Sequence, residues 1–163
     1  MMLSTLAARY GPGDVLTFST AFPHPWIVWE PGPWMPSHPG ETMMLSPKAG
    51  SSQRASRSPN GEALALSLTP DPIKLQLTLG RGEGSDLPVN DATLSRQHLL
   101  FRRAGVVWEV QDAGSSNGSW LNGVKMVPRQ SHSLRSGAQI QAGQVYLTYY
   151  DPGGLFSRIK VGR

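Results

Sequence analysis

The chain has 163 residues, enough for one ordinary domain, with 39% hydrophobic residues, 16% charged residues and a net charge of +4. The absence of cysteine excludes disulfide frameworks, thiolate metal sites and a Cys nucleophile, and it fits a reducing compartment. The basic residues are dispersed rather than run together, which excludes a polyanion-binding tail, while the positive excess still favours a negatively charged partner.

The opening MMLSTLAARYGPGD lacks an apolar stretch long enough for a signal-peptide core, and no run of about 18 apolar residues is available to span a bilayer, so a cytoplasmic location is expected. From Met1 to Asn60 neither a period of 2 nor one of 3.6 is sustained, and FPHPWIVWEPGPWMPSHPG has a proline every few residues. Residues 1–60 therefore read as a largely disordered Pro/Gly/Ser-rich arm in polyproline II or irregular coil. Trp26, Trp29 and Trp34 within it are expected to pack loosely on the domain, with a docking segment or an interfacial anchor as the sharper alternative. The pair Met43-Met44 stands where the Trp/Pro-rich text gives way to SPKAGSSQRASRSPN, a linker-like stretch, and either methionine is an alternative natural start.

From Glu62 onward short alternating runs take over. Leu64, Leu66 and Leu68 alternate with small or polar neighbours, and Ile73, Leu75, Leu77 and Leu79 alternate with Lys74, Gln76 and Thr78, so both read as strands with one buried face. Val106, Trp108 and Val110 repeat the pattern, as do Val145, Leu147 and Tyr149, and HLLFRR, SWLN, VKMV and AQIQA supply shorter strands bounded by turn residues. No amphipathic helical stretch of ten or more residues competes. Residues 61–152 thus form an all-β sandwich or barrel, followed by a short tail over 153–163.

Four blocks stand on this scaffold: LGR at 79–81, LSRQH at 94–98, SSNG at 115–118 with the second Asn-Gly pair at 122–123, and LRSGAQIQAG at 134–143. Singly each is turn chemistry or a solvated side chain, but their order and combination resemble the forkhead-associated (FHA) domain family. The matching residues are Gly80-Arg81, Ser95-Arg96-Gln97-His98, Ser115-Ser116-Asn117-Gly118-Ser119 with Asn122, and Leu134-Arg135-Ser136-Gly137-Ala138. Ser119 stands where the family usually has Thr, and Ala138 where it usually has Asp.

The resemblance implies a sandwich of two mostly antiparallel sheets whose loops at one end bind phosphothreonine in a protein partner phosphorylated by a Ser/Thr kinase. Such a phosphate carries about −1.5 to −2 charges and three acceptor oxygens, so its site should offer several donors and fixed positive charge. On the family pattern Arg81, Ser95 and Arg96 hold the phosphate, Ser116 adds a donor and Asn117 meets the ligand main chain. Gly80, His98, Gly118 and Asn122 support the loops. No cofactor or metal is implied. Thr42, in GETMMLS, is a candidate for phosphorylation in cis, which would make the chain's own arm a partner.

Three rivals fit less well. An enzyme would use Ser95 and His98 as nucleophile and base, but no orienting acid stands at a suggestive spacing, and His24, His38, His98 and His132 are scattered. A scaffold that does not bind phosphate would be expected to lose the anion-binding residues, which are all present here. Nucleic-acid binding has net charge in its favour and no recognisable motif.

Overall fold

The computed structural model describes residues 1–32, 61–70, 73 and 75–161. The expected sandwich is present, with one sheet ordered β2-β1-β11-β10-β7-β8 and the other β4-β3-β5-β6-β9. The strands of the first sheet are β1 (Trp26–Trp29), β2 (Leu64–Ser67), β7 (Ser119–Leu121), β8 (Val124–Lys125), β10 (Gln139–Ala142) and β11 (Val145–Tyr150). Those of the second are β3 (Gln76–Gly80), β4 (Leu87–Pro88), β5 (Leu99–Ala104), β6 (Val107–Asp112) and β9 (His132–Ser133). All pairings are antiparallel except β3 with β4. The alternation read from the sequence supplies the core, since Leu77, Leu79, Trp108, Val110, Val145, Leu147 and Tyr149 interdigitate between the sheets. Ile73 and Leu75 depart from that expectation. They precede the first residue of β3 and are 90% and 76% exposed.

Residues 1–32 correct the reading of a disordered arm. They form α1 (Leu3–Tyr10), α2 (Val15–Ala21) and the strand β1, which is not peripheral but lies between β2 and β11. All four residues of WIVW are buried: Ile27 and Trp29 enter the sandwich core, while Trp26 and Val28 face the other side of the sheet. Pro25 and Pro31 flank the ladder instead of interrupting it, which is why the proline count did not prevent a strand. A chain starting at Met43 or Met44 would lack β1 and leave β2 and β11 without their shared neighbour. Trp34 and Thr42 lie outside the described residues.

The expected C-terminal tail is also corrected, because Pro152–Val161 is a helix, α3. Asp151 caps it, its carboxylate accepting from the Gly154 N–H at 2.6 Å, and Pro152 sits at the first helical position where its missing N–H is harmless. α2 starts in the same way, with the Asp14 carboxylate accepting from the Thr17 N–H at 2.9 Å. The three helices cover the outer face of the first sheet through a second apolar cluster of Leu6, Phe18, Trp26, Val28, Ala65, Leu155, Phe156 and Ile159.

One polar anchor crosses this layer. Arg158 of α3 donates from both terminal nitrogens to Glu30, at 3.0 and 2.9 Å, and from one of them also to the Tyr150 hydroxyl at 2.8 Å. Thr148 donates to the same carboxylate at 2.8 Å. Burial alone would favour a neutral Arg158, but the Glu30 carboxylate outweighs it and raises the guanidinium pKa further. Arg158→Ala strips the buried Glu30 of both guanidinium bonds. The Arg158 side chain is 34% exposed, so a loss of about 2–3 kcal/mol is expected, less than the roughly 3–5 kcal/mol of a fully buried pair. Urea unfolding checks this, and an unchanged midpoint would show that the pair carries no net stability.

Candidate functional site

The site starts from a backbone crossing that only glycine permits. A Cβ placed on Gly80 would lie 2.1 Å from the Arg96 carbonyl oxygen and 2.8 Å from that of Ser95. With no side chain there, the end of β3 runs against the 95–96 backbone, and the Arg81 N–H donates to the Ser95 carbonyl at 3.0 Å. Arg81 and Arg96 are thereby carried on adjoining exposed backbone. Neither guanidinium makes a hydrogen bond or ion pair with a described residue. Two uncompensated positive side chains carried on adjoining backbone raise the local potential and are suited to an anion.

His98 joins this segment to the next loop. It is fully buried, its Nδ1 accepts from the Ser95 N–H at 3.1 Å, and its Nε2 lies 2.9 Å from the Gly118 carbonyl oxygen. Because Nδ1 is an acceptor, the single proton of the neutral ring belongs on Nε2, which donates to Gly118. Burial pushes the His98 pKa down, more than the Gly118 bond and the nearby Asp112 push it up.

The 112–118 loop is tied from within by Asp112. Its buried carboxylate accepts from the Gly114 N–H at 2.8 Å and from the Ser115 N–H and hydroxyl, each at 2.7 Å. Burial favours the protonated acid, but the hydrogen bonds from Ser115, with further contributions from Ser119 and Gly114, together outweigh it and hold the Asp112 pKa below the usual carboxylate value. The Ser115 hydroxyl in turn accepts from the Gly118 N–H at 3.0 Å, and Gly118 adopts φ +82°, a left-handed turn that suits glycine. Ser116 and Asn117 are exposed at the crest.

The two loops meet at that crest. The Ser116 N–H donates to the Ser95 hydroxyl oxygen at 3.0 Å, which leaves the Ser95 hydroxyl proton free to donate outward. The Asn117 side-chain amide donates to the Thr93 carbonyl at 2.7 Å, and its carbonyl oxygen makes no hydrogen bond with a described residue. Thr93 ties three segments together: its hydroxyl donates to Asp91 at 2.5 Å and accepts from the Gln144 N–H at 3.0 Å, while its carbonyl accepts from Asn117. Arg81, Ser95, Arg96, Ser116 and Asn117 therefore come together at one end of the sandwich, with Gly80, His98 and Gly118 directly behind them. Asn122 is placed differently. It lies with Gly123 in the positive-φ turn between β7 and β8, one strand length from the crest, where its side chain accepts from the Gln139 N–H at 2.9 Å and holds that hairpin to β10.

A family model described as the FHA domain matches residues 77–143. Among curated proteins, an oxoglutarate dehydrogenase inhibitor of Corynebacterium diphtheriae is 36% identical over 108 residues, which cover 66% of this chain and 70% of that protein. This chain belongs to the FHA domain family. The glycogen accumulation regulator GarA of Mycolicibacterium smegmatis is 37% identical over 70 residues, covering 43% of this chain and 42% of GarA, so the FHA match accounts for under half of that relative's length. The solution structure of the FHA domain of an Arabidopsis thaliana hypothetical protein has the same fold, with 24% identity and a TM-score of 0.54 over 80% of this chain and 86% of that one.

The two departures from the FHA pattern leave the site's frame intact. Ser119 is fully buried at the start of β7, where its carbonyl accepts from the Met126 N–H at 2.8 Å. Ala138 closes its turn through its N–H to the Arg135 carbonyl at 2.9 Å, with Gly137 at φ +92°. In this FHA domain the lowered pKa of His98 makes the loop bridge sensitive to acid. The unfolded chain binds the imidazole proton near the ordinary value of 6.5, the folded chain only below it. Stability therefore falls as pH drops below about 6.5 and this contribution levels off once the folded-state value is passed. Urea unfolding at pH 7.5 and 5.5 should show the loss in the native sequence and a smaller one in His98→Asn; equal losses in both would contradict the assignment.

Proposed function

We propose that this chain is a phosphothreonine-dependent adaptor, binding a protein partner phosphorylated by a Ser/Thr kinase and catalysing no reaction itself. The observation that carries the proposal is the convergence of two unpaired guanidiniums, Arg81 and Arg96, with the free hydroxyl proton of Ser95 on one exposed crest. A phosphate dianion satisfies all three at once, and Ser116 adds a further donor. Asn117, held by Thr93, is placed to accept from the main chain of the same ligand. The names of the relatives, an inhibitor of oxoglutarate dehydrogenase and a regulator of glycogen accumulation, support a regulatory role acting through binding.

The geometry of His98 speaks against the enzyme reading. One ring nitrogen is taken by the Ser95 backbone N–H and the other faces the Gly118 carbonyl, so neither is available to take a proton from the Ser95 hydroxyl. No helix among the described residues is long and apolar enough to cross a membrane.

Binding to matched phosphothreonine, phosphoserine and unphosphorylated peptides tests the proposal. Only phosphopeptides should bind, the phosphothreonine form best, with affinity falling as salt rises. Arg81→Ala should weaken binding about ten- to a hundredfold, the roughly 1.5–3 kcal/mol of a charge-assisted bond. Equal binding of the unphosphorylated peptides would favour the scaffold reading instead.

A second ligand in reach is the chain's own phosphorylated Thr42. Glu30 is bonded to Tyr146 in β11, whose start adjoins the 143–144 turn next to Gly118, so β1 runs toward the loop end of the sandwich, and Trp29 pairs with Leu64 near Gly61. The described residues that flank Thr42 in sequence, up to Gly32 and from Gly61, thus both lie on the side of the binding loops, and a ligand in the same chain has a raised effective concentration. Phosphorylation of Thr42 should shift the NMR signals of Arg81 and Ser95 and weaken peptide binding in trans. Spectra identical to those of Thr42→Ala would dismiss it.

A further inference from the structure

The crest continues onto the outer face of the first sheet through a pair of residues that the phosphate site does not use. In β7, Ser119 and Leu121 face the sandwich core, so Trp120 between them points to the opposite face. Lys125 stands directly across from it on β8, with its ammonium 5.9 Å from the centre of the indole ring. A Cβ placed on Gly118 would lie 3.5 Å from both the Trp120 ring and the Lys125 Cε, so this pair adjoins the residue that follows Asn117. Lys125 is exposed and has no carboxylate partner among the described residues, and Trp120 is half-buried.

The geometry points to Lys125 over Trp120 as a second, acid-reading subsite, which takes a Glu or Asp side chain of the same segment that presents the phosphothreonine. This rests on the phosphothreonine reading of the crest. An extended ligand advances about 3.3–3.6 Å per residue, so a ligand residue close in sequence to the phosphothreonine reaches the pair. The ammonium supplies the charge and the indole face supplies an apolar floor for the methylenes of the acidic side chain. The positive field of Arg81 and Arg96 acts in the same sense. Gly118 keeps the approach open, because a side chain there would stand against both members of the pair.

The test uses the full chain and phosphothreonine peptides carrying Glu or Gln singly at each of the three positions on either side of the phosphothreonine, read by fluorescence anisotropy. At one position or two adjacent ones Glu should bind about two- to fivefold more tightly than Gln, as expected for a single exposed ion pair, and the ratio should shrink in salt. Lys125→Met should bring the ratio to one while keeping the affinity for the Gln peptides, Lys125→Arg should keep it and Lys125→Glu should invert it. Arg81→Ala should weaken Glu and Gln peptides alike. The subsite is overturned if no position prefers Glu, or if the preference survives in Lys125→Met, in which case the pair serves only to brace its hairpin. Failure of every phosphothreonine peptide to bind the native sequence would remove the crest reading and the subsite together.

Discussion

A buried, neutral imidazole holds the binding surface in register. The 94–98 segment is a loop that joins β4 to β5 of one sheet and the 115–118 loop passes from that sheet to the other, so nothing in the strand ladders alone fixes their relative position. His98 does so by accepting from Ser95 and donating to Gly118 at once, which requires one proton on the ring and no more. Each such bond contributes about 0.5–1.5 kcal/mol net, and losing the ring would also leave the Ser95 N–H without its partner, while the Gly118 carbonyl would keep the Gly143 N–H. The Ser116 to Ser95 contact and the Asn117 to Thr93 contact both presuppose this spacing. Asp112 performs a comparable service inside its own loop.

That spacing is carried by a sheet more deeply built than a sandwich half. β1 is covered on both faces, and its outer face is sealed by three short helices from opposite ends of the described chain. The Glu30 to Arg158 anchor then links β1, β11 and α3 at a point where burial would make either charge costly alone. β11 passes the constraint to β10 and β7, which end at the 143–144 turn and at Ser119 beside the crest. The helical layer thus bears on the site through strands and not by direct contact.

Legibility in the sequence followed the physics of exposure. A strand with one less buried face, such as β6, alternates and was read correctly, and the alternation of β11 in sequence was read too although both its faces are covered, whereas WIVW is buried on both faces and has no alternation to read. The helices escaped because they are short. Their signals were nonetheless present: Leu3, Leu6, Ala7 and Tyr10 follow helical spacing in α1, and Asp14 before α2 and Asp151-Pro152 before α3 are caps. The crest residues were legible because tight turns and close backbone approaches demand Gly, Ser and Asn in a fixed order. Thr93 and Lys125 were not, since Thr93 acts through Gln144 and Asn117, far along the chain, and Lys125 meets Trp120 only once the hairpin register is set.

The central claim is that two loops locked by His98 present one phosphate-binding crest, and residue-resolved NMR during titration with a phosphothreonine peptide tests it most directly. The account predicts saturable shifts at Arg81, Ser95, Arg96, Ser116 and Asn117, with α1, α2 and α3 unchanged, and no response to the unphosphorylated peptide. Shifts centred on the helical face, or the same shifts without the phosphate, would contradict it.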